Sequence, residues 1–137
     1  MTISDLMTKN PVTLDARSTA ADAARLMKSH DIGDVVVVDG ETVCGIVTDR
    51  DIVTRAVAEN KNPLDVTLAE ICSTDLTTLS PDDSVEDAVR LMTEHSLRRL
   101  PVVENGRPIG IVTLGDLAVE HDSDSALGEI SAAPPNN

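Results

Sequence analysis

The chain reads as an α/β (α+β) protein built from two tandem β-α-β-β-α units packed around a pseudo-twofold axis. The first observation behind this is internal repetition, which sets the whole architecture. Shifted by 65 positions (Gly45 onto Gly110), the 137-residue sequence matches itself without a gap from about Ile3 to Ala56. Thr13-Leu14 falls on Thr78-Leu79, Arg25-Leu26-Met27 on Arg90-Leu91-Met92, and Gly45-Ile46-Val47-Thr48 on Gly110-Ile111-Val112-Thr113. The second is that each copy alternates a helical apolar period with short β-branched runs. The third is composition: 41% hydrophobic and 26% charged residues suit a globular chain, yet Phe, Tyr and Trp are all absent. The core must therefore be built from Val, Ile, Leu, Met and Ala.

Each copy opens with a lead-in that reads as one helical turn, Ser4–Met7 and Ala69–Cys72. Short extended segments follow at Val12–Leu14 and Thr77–Leu79. Thr19 with Asp22, and Ser84 with Asp87, place a hydroxyl three residues before an acid, the signature of a helix N-terminus. The second of these helices carries the apolar stripe Val85, Ala88, Val89, Met92, and both helices stop near His30 and His95. Two strands come next, Val35–Val38 with Thr42–Thr48 and Leu100–Val103 with Pro108–Thr113. They are joined through Asp39-Gly40-Glu41 and around Asn105-Gly106, the latter a strong hairpin signal. A last helix starts at Asp49 or Leu114. The division is then residues 1–60 for the first unit, 61–67 for a linker and 68–122 for the second. Residues 123–137 form a tail of Ser, Asp, Ala, Pro and Asn that is expected to be disordered. A unit of about 55 residues has a marginal core of its own, so the two are expected to pack together.

Charge and composition exclude several functions. Twenty-four acids against eleven Lys and Arg leave a net charge of -13, which repels a phosphate backbone, so no nucleic-acid partner is expected. No apolar run reaches the ~20 residues of a membrane span. Neither a signal peptide nor a basic amphipathic helix is evident, and a soluble, cytoplasmic protein is expected. Cys44 and Cys72 form no CxxC, and the three His show no ligand spacing, so no metal site is expected. No Ser–His–Asp order, paired carboxylates or Gly-rich phosphate loop with Lys points to an enzyme. His30 and His95 read as helix-end residues, and Met27 and Met92 as core filling.

These motifs resemble the cystathionine β-synthase (CBS) domain pair, or Bateman module. Gly45-Ile46-Val47-Thr48-Asp49-Arg50-Asp51 and Gly110-Ile111-Val112-Thr113-Leu114-Gly115-Asp116 carry the resemblance, each a Gly-x-x-Thr-x-x-Asp leaving a strand. Leu97-Arg98-Arg99-Leu100-Pro101-Val102-Val103 and Asp5-Leu6-Met7 add to it, over roughly residues 3–122. His30–Gly33 and Thr48–Val53 resemble the stand-alone CBS-pair proteins of actinobacteria, among them the hypoxic response proteins.

The resemblance implies a non-enzymatic regulatory module that binds an adenine nucleotide or adenosyl ligand in clefts between paired units and signals to a partner, which the sequence does not name. AMP, ADP, ATP and S-adenosylmethionine are the candidate ligands, no cofactor is required, and a homodimer associating through the helices after Asp51 and Asp116 is expected. Thr48 and Asp51 would serve one cleft, Thr113 and Asp116 the other, lined by Thr13, Ile32, Asp34, Thr78, Arg98 and Arg99. The chemistry fits: a Thr at a helix start sits beside free N–H groups that seat phosphate, and an Asp can accept from two ribose hydroxyls. Thr-x-x-Asp is equally a plain helix cap, and Thr19-x-x-Asp22 repeats it where no ligand is expected. The clefts should differ, because Arg98 and Arg99 stand where the first repeat has Gly33 and Asp34, and Pro101 stands where it has Val36. Arginine favours a phosphate that Asp repels. The alternative function is a ligand-free dimeric stress-response or interaction scaffold.

Overall fold

The computed structural model describes residues 1–72 and 76–121. The tail expected at 123–137 lies outside the described residues. The architecture is mixed α/β with two three-stranded sheets.

The elements, in order, are α1 (Ile3–Leu6), β1 (Thr8–Lys9), β2 (Thr13–Asp15), α2 (Ala20–His30), β3 (Asp34–Asp39), β4 (Thr42–Thr48) and α3 (Asp49–Ile52). Helix α3 runs on into a π-helical turn, Val53–Val57. After it come α4 (Leu68–Ile71), α5 (Val85–His95), β5 (Arg99–Glu104), β6 (Arg107–Thr113) and α6 (Leu114–His121). Both long helices begin where the hydroxyl–acid pairs place them. Thr19 Oγ1 accepts from Asp22 N at 3.2 Å, and Ser84 Oγ from Asp87 N at 3.1 Å. Both end on a left-handed residue, Asp31 (φ 53°) and Ser96 (φ 54°), after which the chain must leave the helix axis. The second hairpin turns through Asn105 (φ 54°) and Gly106 (φ 81°), two left-handed residues in succession, which matches the twist of the strands it joins.

Carboxylates that close these caps carry a pH dependence. The Thr19 backbone N–H holds the Asp22 carboxyl below its ordinary value of 3.8, and that of Ser84 does the same for Asp87. A depressed carboxylate pKa stabilises the fold above the unfolded value and loses that contribution as pH falls through the folded one. Asp22→Asn with Asp87→Asn is therefore expected to lower Tm at neutral pH and to flatten its fall below about pH 4, so that variant and unmodified protein converge in acid. An unaltered acid limb would show that the caps titrate without affecting folding.

The chain resolves into two compact units, and neither is one repeat. The first unit comprises Pro11–Leu76, the second Met1–Asn10 together with the chain from Thr77 on. In the first unit the core joins Ala20, Ala23 and Met27 of α2 with Val35, Val37, Val47, Ile52 and Ala56. Val66, Leu68, Ile71 and Cys72 complete it, although they lie in the segment read as linker and second lead-in. In the second unit Ile3 of the opening turn is fully buried among Leu79, Val85, Ala88, Met92, Leu100, Val102, Val112 and Leu117. Each lead-in thus completes the core of the other repeat. The stretch 61–67 is anchored rather than loose, since Ala20 N donates to Val66 O at 2.9 Å and Ala21 N to Pro63 O at 2.9 Å.

Further differences from the sequence reading are local. Strand β1, which no apolar alternation announces, pairs antiparallel with β6, Thr8 opposite Ile111 and Lys9 opposite Gly110. That approach explains Gly110: a Cβ there would run into Met7 Sδ and lie 3.0 Å from Thr8 O. Thr77–Leu79 makes only a bridge, Leu79 with Val102, where the first repeat has a strand. Val89 lies at the exposed rim of α5 while Val85, Ala88 and Met92 are buried.

Candidate functional site

In the first unit β2 runs parallel and β4 antiparallel to β3, with Thr13 opposite Val36 and Asp34 opposite Thr48. Side chains alternate along a strand. Val35, Val37 and Val47 point into the core, so Asp34, Val36, Ile46 and Thr48, with Thr13 level with Val36, share the opposite face. Val36 on that face is only 1% exposed. The second unit repeats the arrangement: Leu100, Val102 and Val112 face the core, while Arg99, Pro101, Ile111 and Thr113 share the other face. Arg99 lies directly opposite Thr113, as Asp34 does opposite Thr48. Thr78 immediately precedes Leu79, whose N–H donates to Pro101 O at 2.9 Å.

At the end of β4 the chain turns into α3 through a capping box. Thr48 N donates to Asp51 Oδ2 at 2.9 Å, and Asp51 N to Thr48 Oγ1 at 3.1 Å. Thr113 N donates to Asp116 Oδ2 at 2.9 Å, and Asp116 N to Thr113 Oγ1 at 3.1 Å. The two corners are tied to the strand before them in the same way. Asp49 N donates to Gly33 O at 3.1 Å, and Leu114 N to Arg98 O at 2.8 Å. The residues of each Thr-x-x-Asp are therefore held as caps, each Asp closing its cap through Oδ2.

The site residues read from the sequence gather unevenly. Thr13, Asp34 and Thr48 share one face of the first sheet, Thr13 on one outer strand and Thr48 on the other, with Asp51 in the turn of helix that follows. Arg99 and Thr113 share the matching face of the second, with Asp116 in the helix that follows and Arg98 just before β5. Ile32 departs from that pattern, since it packs against the core cluster rather than standing on the face that carries Thr48. Arg55 was not singled out in the sequence. Its Nε lies 3.8 Å from Asp51 Oδ1 and its Nη1 donates to Ile71 O at 2.9 Å. The four-residue spacing from Asp51 was the signal that could have found it.

A family profile for the CBS domain matches residues 3–58 and again 68–120. The chain belongs to the CBS-domain family. CBS domain-containing protein YhcV of Bacillus subtilis is 40% identical over 126 residues, 92% of this chain and 89% of that one. Hypoxic response protein 1 of Mycobacterium tuberculosis is 32% identical over 118 residues, 85% of this chain and 82% of that one. A crystal structure of Hypoxic Response Protein I with two coordinated zinc ions matches with a TM-score of 0.81 at 30% identity, over 88% of this chain and 98% of that one. The CBS domain pair of protein MJ0100, in complex with 5-methylthioadenosine and S-adenosyl-L-methionine, matches with a TM-score of 0.80 at 28% identity, over 91% and 98% of the two chains.

Two further features of this CBS pair bear on its chemistry. Among the described residues no group of three or more His, Cys, Asp and Glu is placed to hold a metal ion, and no helix is long and apolar enough to cross a membrane. Cys72 belongs to the first core and Cys44 packs against it, both as free thiols. Cys44 Sγ donates to Val37 O at 3.4 Å, beside the register shift between Val37 and Val38. Burial pushes both thiols up from 9.0, which keeps them protonated and slow to react at neutral pH.

Proposed function

We propose that this CBS pair is a non-enzymatic regulatory module that binds an adenosyl compound, AMP, ADP, ATP or S-adenosylmethionine, at its Thr-x-x-Asp corners and signals to a partner protein. The observation that carries the reading is the register of the two sheets. It sets Thr48 with Asp34 and Thr113 with Arg99 on a face away from the core, and the Oδ1 of each corner Asp, which in Asp51 also faces Arg55, would accept from ribose hydroxyls. Ile46, half-buried on that face, would supply aliphatic surface for adenine. The adenosyl ligands of the MJ0100 pair support the same class of compound. Ligand would act by its different affinity for two arrangements of the module.

The test uses a property of the composition. With no Trp or Tyr the protein is almost dark near 280 nm. Purified protein is expected to show an adenine absorption band that passes into the filtrate on denaturation, or to bind AMP, ATP, S-adenosylmethionine or methylthioadenosine in calorimetric titration. No band and no binding at millimolar concentration would leave the four corner residues as helix caps. That outcome would favour the second reading, a ligand-free dimeric stress-response or interaction scaffold, for which the completed capping boxes speak. In both readings a homodimer would use exposed apolar side chains on the helices after the corners, Val53 and Val57 in the first unit and Leu114 and Val119 in the second. Light scattering is expected to give twice the chain mass, and a monomer at micromolar concentration would remove that part of the reading.

A further inference from the structure

We infer that Arg55 is a positioning residue that couples the state of Asp51 to helix α4. Only the ligand arm of this inference rests on the function proposed above. The two oxygens of Asp51 have different tasks: Oδ2 accepts from Thr48 N at 2.9 Å and closes the cap, while Oδ1 faces Arg55 Nε at 3.8 Å. The same guanidinium donates through Nη1 to Ile71 O at 2.9 Å. Ile71 is the last residue of α4, and the final carbonyls of a helix have no donor within it. Arg55 supplies one from 16 residues away in sequence.

A guanidinium suits this task because its N–H groups diverge in a fixed plane, so one side chain holds a carboxylate and a carbonyl together. The π-helical turn Val53–Val57 carries Arg55, with Ala56 beside it fully buried, so the backbone that presents the side chain is anchored in the core. The Asp51 side chain is 17% exposed and that of Arg55 48%, which leaves the contact open to a competing solute. A ribose hydroxyl donating to Asp51 Oδ1 would use the oxygen that faces Arg55. Occupancy of the first corner then changes how firmly the guanidinium holds α4, whose Leu68 and Ile71 lie in the core of the same unit. At the position that matches Arg55 in the sequence, the second repeat has Glu120. The two corners would bind related ligands, but only the first would report through a lead-in helix.

Hydrogen exchange of the amides of Leu68–Cys72 tests this without any ligand. Arg55→Gln is expected to raise their exchange about tenfold, the loss of one charge-assisted bond, and Asp51→Asn by about twofold. The double variant should exchange no faster than Arg55→Gln, because Asp51 acts on α4 through Arg55. Arg55→Lys, which keeps the charge and loses the fork, should fall between. Unchanged exchange in Arg55→Gln, or additive effects of the two replacements, would overturn the inference. In the ligand arm 5-methylthioadenosine, an uncharged adenosyl compound, is the probe: it should alter Leu68–Cys72 exchange in the unmodified protein and leave it unaltered in Arg55→Gln. Its binding at the first corner with no such change in the unmodified protein would also overturn the coupling. Its failure to bind at all counts against the proposed function at that corner instead, and the ligand-free comparison still decides the role of Arg55.

Discussion

Ile3→Ala is expected to destabilise the second repeat, not the repeat that Ile3 precedes in sequence, by about 2–5 kcal/mol. Ile3 has no exposed surface and lies among Leu79, Leu100, Val102 and Leu117. Ile3 N donates to Asp83 O at 2.9 Å and Ser4 N to Pro81 O at 3.0 Å, so the backbone around it is bound in place and the site cannot easily collapse onto the hole. Truncation therefore combines lost transfer energy with a residual cavity. Leu68→Ala is the mirror experiment, since Leu68 is equally buried but lies in the core of the first repeat. Thermal melting should fall by roughly 10 °C for either variant. Hydrogen exchange should place the weakening in β5 and β6 for Ile3→Ala and in β3 and β4 for Leu68→Ala. The reverse assignment would mean that each lead-in packs on its own repeat.

Arg98→Ala with Arg99→Ala is expected to weaken AMP binding about 10-fold to 100-fold while leaving adenosine nearly unaffected, as charge-assisted bonds to phosphate are worth about 1.5–3 kcal/mol. The argument starts from register. Arg99 lies opposite Thr113, and Leu114 N donates to the carbonyl of Arg98, so both arginines adjoin the start of α6. Its N–H groups favour an anion as well. At the first corner the equivalent residues are Gly33 and Asp34, and Asp49 adds another acid next to Thr48. On the proposed function, that corner is expected to take an uncharged or cationic adenosyl group in preference to a phosphate. Comparing AMP with adenosine isolates the phosphate contribution from the adenine and ribose contacts. Unchanged AMP affinity in the double variant would end the assignment of phosphate to the second corner.

Much of the fold was legible before any coordinates because it is encoded locally and twice. Thr19 with Asp22 and Ser84 with Asp87 start helices wherever they occur, since the backbone donors they satisfy belong to the same turn. Asn105-Gly106 reverses the chain because both residues accept positive φ. Of the candidate site, Thr48, Asp51, Thr113 and Asp116 were legible through their repeated spacing, and Asp34 and Arg99 through their place in the repeat. Arg55 escaped notice because its more telling contact, with Ile71 O, spans 16 residues and has no local signal. Ile32, in the turn before β3, packs against the core cluster, a placement that an apolar residue in a turn does not announce in the sequence.

By itself the sequence determined the two-copy plan, the order of elements within a copy, the capped corners and the opposed charges at positions 34 and 99. These depend on neighbours within a turn or on comparison of one copy with the other. Tertiary structure alone decided which lead-in completes which core, that β1 joins β6, and that the stretch 61–67 is anchored through Val66. Ile3 and Leu68 occupy equivalent positions and present similar apolar surface, so local pattern cannot tell which core each will fill. The choice rests on where the chain can reach and on which set of side chains closes around them without leaving a void, and both are properties of the packed chain.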